Sequence, residues 1–129
     1  MEWKFESGLP IYSQIIDQMS MSIAAGIYGP GDKLPSVREL ATDAGVNPNT
    51  MQRALGELER RGLVHSERTS GRFVTMETGV LQELRETMIG EYIEEFFGKL
   101  RKMGMTDQEI AEAVERWKDS SGNLDSRGR

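Results

Sequence analysis

Two short amphipathic segments separated by a glycine turn constrain this chain most. Within "LPSVRELATDAGVNPNTMQRALGELERRGLV", residues 34–64, apolar side chains recur three and four apart, at Val37, Leu40, Ala41 and Ala44 and again at Met51, Ala54, Leu55 and Leu58. That is the spacing of one helical face. The residues between and before them punctuate the pattern. Ser36 with Glu39 three positions on forms a capping box, and Pro35 and Leu40 fill the staple positions. Gly45 suits the left-handed closure of a helix. Asn47 is an N-cap, and Pro48 stands at the first helical position, where its missing N–H costs nothing. The spacing predicts a helix-turn-helix whose second helix turns Asn49, Thr50, Gln52, Arg53 and Gly56 outward.

The flanks extend the reading. Upstream, "PIYSQIIDQMSMSIAAG" places Tyr12, Ile15, Ile16, Met19 and Ile23 on one helical face that ends at Gly26, and "GIYGPGDKLPS" reads as a loop with room for a very short strand. Downstream, "GLVHSE", "RTSG" and "RFVT" read as strand, polar tip and strand, a β-hairpin wing whose turn ends in Gly71. Beyond Thr75 one long helix carries Leu81, Leu84, Met88, Tyr92, Phe96, Leu100 and Met103 in a stripe widened by Ile89, Ile93 and Phe97. Met105, Thr106, Glu109 and Ile110 then start a final helix bearing Ala111, Val114 and Trp117. The expected fold is mainly α with a small β-hairpin: a winged helix-turn-helix domain over 1–75, a two-helix extension over 76–119, and an unpatterned tail at 120–129 expected to be disordered.

A chain of 129 residues with 37% hydrophobic content buries one core and a small helical appendage. No run approaches the roughly 18 apolar residues of a membrane span, and "MEWKFESG" lacks a signal-peptide core, so a cytoplasmic protein without membrane contact is expected. Zero cysteines exclude disulfides and thiolate metal sites. The net charge of −5 argues against indiscriminate coating of nucleic acid. Over 48–72 the balance reverses, with Arg53, Arg60, Arg61, Arg68 and Arg72 against Glu57, Glu59 and Glu67, so a polyanion site belongs there. His65, the only histidine, has no second ligand nearby and reads as structural or solvent-facing. The acidic groups Glu91, Glu94 and Glu95, and Glu109, Glu112 and Glu115, read as solvated helix faces, and "GPGDK" lacks the spacing of a phosphate-cradling loop. No catalytic, cofactor or metal site is expected.

At residues 10–74 the ordered motifs "GPGDKLPSVRELA", "GVNPNT" and "LERRGLV" resemble the winged helix-turn-helix of the GntR family of bacterial transcription regulators. The remaining tail is too short for the ligand-binding or aminotransferase-like domains of other branches, and resembles the YtrA-like branch, whose short helical tail serves dimerisation. The resemblance implies that Arg38, Asn47, Asn49, Thr50, Arg53, Thr69, Ser70 and Gly71 sit at or near DNA. It also implies control of a membrane-transporter operon. Several branches carry Arg at the position of Gln52 and a basic or hydroxyl residue at that of Pro48, so their operator sequences do not transfer.

The residues themselves agree with much of this. Asn49 and Thr50 lie at the positive end of the second helix, where phosphate is favoured. Arg53 suits the two acceptors of a guanine edge and Gln52 an adenine edge, while a salt bridge from Arg53 to Glu57 is the rival reading. Arg60 and Arg61 suit the helix C-terminus and read as structural. Arg68, at the wing tip with Thr69, Ser70 and Gly71, is a further candidate for contact with the duplex. The apolar stripe of the long helix, Leu81, Leu84, Met88, Tyr92, Phe96 and Leu100, exceeds what one short helix covers, so a two-fold homodimer is expected, with half-sites one or two helical turns apart on an inverted repeat. The alternatives are a protein-interaction module using the tail, or a regulator gated by a small-molecule effector in a pocket beneath Trp117 or Tyr92.

Overall fold

Eight residues suffice for the first helix of the pair because its own sequence closes both ends. In α2 (Val37–Ala44), Ser36 Oγ accepts the Glu39 N–H at 3.1 Å and Glu39 Oε1 accepts the Ser36 N–H at 3.1 Å, completing the capping box. Gly45 closes the other end at φ 70° and ψ 35°, its N–H turned back to the Ala41 and Thr42 carbonyls. A side chain there would carry a left-handed strain of about 1–2 kcal/mol. The second helix, α3 (Pro48–Arg60), starts where Asn47 Oδ1 accepts the Asn49 N–H at 2.7 Å.

The computed structural model describes residues 1–128, with side chains described through Ser121. The buried face of α3, Met51, Ala54, Leu55 and Leu58, packs on α1 (Ile11–Ala24) through Ile15, Ile16, Met19 and Ile23. Leu34, Leu40, Ala41, Leu63, Val64 and Val74 complete the same core. Each such large side chain, fully buried, contributes about 1.5–3 kcal/mol, so the core fixes which face of α3 remains outside.

Strands β1 (Val64–Glu67) and β2 (Gly71–Val74) pair antiparallel, with Val64 opposite Val74 and His65 opposite Phe73. The loop with room for a short strand forms an edge on this hairpin. Lys33 bridges to Phe73, the Leu34 N–H donates to the Arg72 carbonyl at 2.9 Å, and the Val74 N–H donates to the Asp32 carbonyl at 2.9 Å. The wing is thereby tied to the residues that lead into α2.

Residues 1–9, which periodicity leaves unassigned, are clipped to α1 by two amide side chains. The Lys4 and Glu6 N–H groups donate to Gln18 Oε1 at 3.0 Å and Gln14 Oε1 at 2.7 Å, and each amide nitrogen returns a bond to the carbonyl of the same residue. Trp3 and Phe5 stack at 5.8 Å and pack against the core.

Two compact units result, Met1–Glu86 and Thr87–Arg129, with α4 (Thr78–Arg101) contributing to each. In the first unit Val80, Leu81 and Leu84 rest on the core, and Arg85 Nη1 donates to the Ala24 carbonyl at the end of α1. In the second, α5 (Asp107–Gly128) starts with the expected capping box: the Thr106 N–H reaches Glu109 Oε1 at 2.8 Å and the Glu109 N–H reaches Thr106 Oγ1 at 3.1 Å. Ile110 is fully buried, and Arg101 grips Asp107 through two bonds at 2.7 and 3.0 Å. The bounds of α5 take in residues 120–128, where a disordered tail is expected; the side chains of 122–129 lie outside the described residues, and with them that expectation. The architecture is the mainly helical winged helix-turn-helix with C-terminal helices.

Candidate nucleic-acid interface

With its apolar face buried, α3 presents Asn49, Gln52 and Arg53, spaced three and four apart on one exposed face. Thr50 is half-buried at the edge of that face, as is Gly56. The first turn is nearly used up as a source of free N–H groups. Pro48 has none, Asn49 is bonded to Asn47 Oδ1, and the Met51 N–H reaches the Asn47 carbonyl at 3.1 Å. The Thr50 N–H remains for an incoming anion, reinforced by the positive end of the helix dipole. Asn47 itself is committed as a cap, which leaves only its amide nitrogen to face outward.

Arg53 does not pair with Glu57. That carboxylate takes Arg60 Nε at 2.8 Å and Nη2 at 2.6 Å, and Arg61 Nε at 2.8 Å. These side-chain hydrogen bonds, Arg60's first and then Arg61's, lower the Glu57 pKa to about 2. Arg60 and Arg61 are thus both engaged by one carboxylate at the C-terminal end of α3. Arg53 instead lies with Cζ 4.7 Å from the centroid of the Tyr12 ring in the first turn of α1.

Arg68, Thr69 and Ser70 form the exposed turn between the wing strands, and Arg38 stands exposed in the first turn of α2. No ion pair holds Arg38, Arg53 or Arg68 among the described residues. Ser70, Gly71 and Arg72 share a cleft of about 320 Å³ with Lys33, Ser36 and Glu39, so the wing and the start of α2 line one recess. Gly71 opens β2 at φ 115°, and a Cβ there would come within 3.1 Å of the Lys33 side chain. Glu39 is held below its ordinary pKa, chiefly by the backbone bond from Ser36 and then by its hydroxyl, and serves the cap. His65, on the wing, has Nε2 3.2 Å from Glu67 Oε1 and its ring 6.0 Å from that of Phe73.

Sequence reasoning missed two residues of this surface, Lys33 and Tyr12. Lys33 sits in a Gly-Pro-Gly loop whose pairing with β2 is non-local. Tyr12 counts only as an apolar member of the first stripe. Of the tail residues, Leu81 and Leu84 are engaged with the core of their own chain, whereas Tyr92 and Phe96 are about half exposed and Met88 and Leu100 partly so. Trp117 is 69% exposed. No helix among the described residues is long and apolar enough to cross a membrane.

A capped helix pair with an outward polar face, followed by a strand hairpin anchored beside it, defines a winged helix-turn-helix, an architecture built to lay its second helix in a DNA groove. Residues 11–74 match the family described as "Bacterial regulatory proteins, gntR family". Over 88% of this chain and 94% of the relative, the sequence is 40% identical to the uncharacterized HTH-type transcriptional regulator YhcF of Bacillus subtilis (strain 168). It is also 40% identical to the HTH-type transcriptional repressor YtrA of the same organism, over 84% of each. Among solved structures it is similar to a GntR family transcriptional regulator from Listeria monocytogenes, at TM-score 0.80 and 36% identity over 87% of this chain and 98% of that one. The DNA-binding domain of AraR, in complex with operator ORX1, aligns at TM-score 0.54 and 32% identity, covering 58% of this chain and 96% of that one. The chain belongs to the GntR family, and it is a transcriptional regulator rather than an enzyme.

Proposed function

We propose that the chain is a homodimeric repressor that binds an inverted-repeat operator. In this reading α3 enters the major groove, whose width of about 12 Å admits a helix. Asn49, Gln52 and Arg53 face the base edges. Arg38, Lys33, Arg68, Thr69, Ser70 and the Gly71 backbone approach the sugar–phosphate chain, which fixes register without reading sequence. The observation that carries the proposal is the outward polar face of α3: three side chains able to read bases stand on a packed helix, and no carboxylate neutralises Arg53 among the described residues, since Arg60 and Arg61 occupy Glu57. The repressor reading draws on the name of YtrA, and the operator reading on the AraR complex.

Homodimerisation is supported by the apolar stripe left on α4, Met88, Ile89, Tyr92, Ile93, Phe96 and Leu100, since a wet patch of this kind marks an interface. A two-fold dimer then dictates a palindromic site.

The test is selection from a randomised duplex pool at two salt concentrations. Enrichment of an inverted repeat that weakens with salt supports the proposal, because phosphate contacts release counterions. Mapping the repeat onto a genome shows whether it lies beside a membrane-transporter operon, as the family resemblance implies. Recovery of no sequence at either salt overturns the proposal.

A further inference from the structure

Arg53 is a long, flexible cation on the face proposed to meet DNA, and such a side chain loses rotamer freedom when a base edge fixes it. Tyr12 lies in the first turn of α1, partly buried, and its ring packs against the core cluster. The Arg53 Cζ lies 4.7 Å from the ring centroid, within the range where a guanidinium is attracted to an aromatic face. The competing partner is absent. Glu57, one turn along α3, has both oxygens engaged by Arg60 and Arg61, and no carboxylate draws Arg53 off the ring among the described residues.

We infer that Tyr12 is a positioning residue for DNA readout, holding the Arg53 guanidinium in place on α3 before the duplex arrives. The inference rests on the reading of α3 as the groove helix. It assigns to α1, to which the proposed reading gives no base contact, a share in operator affinity. An aromatic face is needed and the phenol hydroxyl is not, so Tyr12→Phe retains the function and Tyr12→Leu, apolar but without a ring, loses it. A cation over a ring at an exposed site corresponds to roughly two- to fivefold in affinity.

Fluorescence anisotropy with the duplex recovered by selection provides the test, on wild type, Y12F, Y12L, R53A and the Y12L/R53A double variant, with N49A as a control on α3. The expected result is wild-type binding for Y12F and a loss of about two- to fivefold for Y12L. Y12L should have no further effect in the R53A background, which is the signature of two residues acting through one another. An equal loss from Y12L with and without Arg53 overturns the inference and makes Tyr12 merely structural, as does an unchanged Y12L beside a weakened R53A. If N49A and R53A both bind like wild type, the reading of α3 itself fails, and the inference with it. A measurement on the free protein guards against an unfolded Y12L. The ring current of Tyr12 should shift the Arg53 side-chain NMR signals in wild type and Y12F, and random-coil shifts there would overturn the inference without any DNA.

Discussion

Trp3 Nε1 donates to Asp43 Oδ2 at 3.2 Å, a bond that joins the first residues of the chain to the last turn of α2 across forty positions. Asp43 also faces Tyr28, whose pKa is raised by burial first and by the Asp43 charge second. With the Gln14 and Gln18 clips, the bond makes residues 1–9 a brace across α1 and α2. Trp3→Ala removes the stacked ring and the bond together, and is expected to destabilise the first unit by about 1–2 kcal/mol. Urea unfolding followed by far-UV circular dichroism checks this; an unchanged midpoint would show that the brace is ornamental.

Acid weakens the fold through carboxylates whose partners are already in place. Glu57 has its pKa lowered from 4.5 to about 2 by hydrogen bonds from Arg60 and then Arg61. Glu109 is lowered by its bonds to the Thr106 backbone and hydroxyl, and Asp107 by Arg101. A carboxyl with a depressed folded pKa stabilises the native state above its unfolded value, and that contribution is lost as pH falls through the folded value. Stability should therefore hold steady from neutrality down to the unfolded carboxylate range, then decline as pH passes from 4.5 towards about 2. Denaturant titrations at stepped pH test this, and Glu57→Gln should reduce the dependence at the acid end. Stability that rises on acidification would contradict these pairings.

What could be read from the sequence was whatever is encoded within about four residues. The Ser36–Glu39 and Thr106–Glu109 boxes, the Asn47 cap and the Gly45 closure form where local spacing places them, because both partners of each contact lie on one turn, and the hairpin follows from two short strands flanking a tight polar turn. Contacts that depend on tertiary packing were illegible. Nothing in the neighbours of Gln14 and Gln18 says that residues 4 and 6 return to meet them. Arg53 was ambiguous because three arginines lie within reach of Glu57, and spacing alone does not say which of them wins. The apolar stripe of α4 is continuous in sequence, so the point at which Leu81 and Leu84 leave off serving the first core and Met88 begins the exposed run is set by folded geometry.

Arg68 is exposed at the wing tip, in a turn closed by the Ser70 N–H donating to the Glu67 carbonyl at 3.3 Å. A phosphate contact from such a position carries no base information. Arg68→Ala is expected to weaken binding uniformly across duplex sequences and to lower the slope of log affinity against log salt by about one, whereas Gln52→Ala should leave the slope alone and relax preference at one base pair. Titrations of the selected duplex and a scrambled one at several salt concentrations separate the two. A sequence-dependent loss for Arg68→Ala would move the wing from backbone to groove.

Ile89, Tyr92, Ile93 and Phe96 are 48%, 50%, 51% and 45% exposed, and together they make a band no other described residue covers. Phe97 beside them is accounted for differently, with Arg101 Cζ 5.5 Å over its ring. If the band is the dimer seam, a charge within it must be buried without a partner on association, at a cost that removes the dimer while leaving each head folded. Ile93→Asp is the variant of choice, because the residue is half exposed in the single chain and the substitution does little to that chain's own core. Sedimentation equilibrium should give twice the chain mass for the wild type and the single mass for the variant, with the circular dichroism of the first unit retained. Operator affinity should then fall far more than affinity for an isolated half-site, since only the linked pair gains from both halves. A variant that stays dimeric would place the interface elsewhere on the chain and leave the band to a different partner.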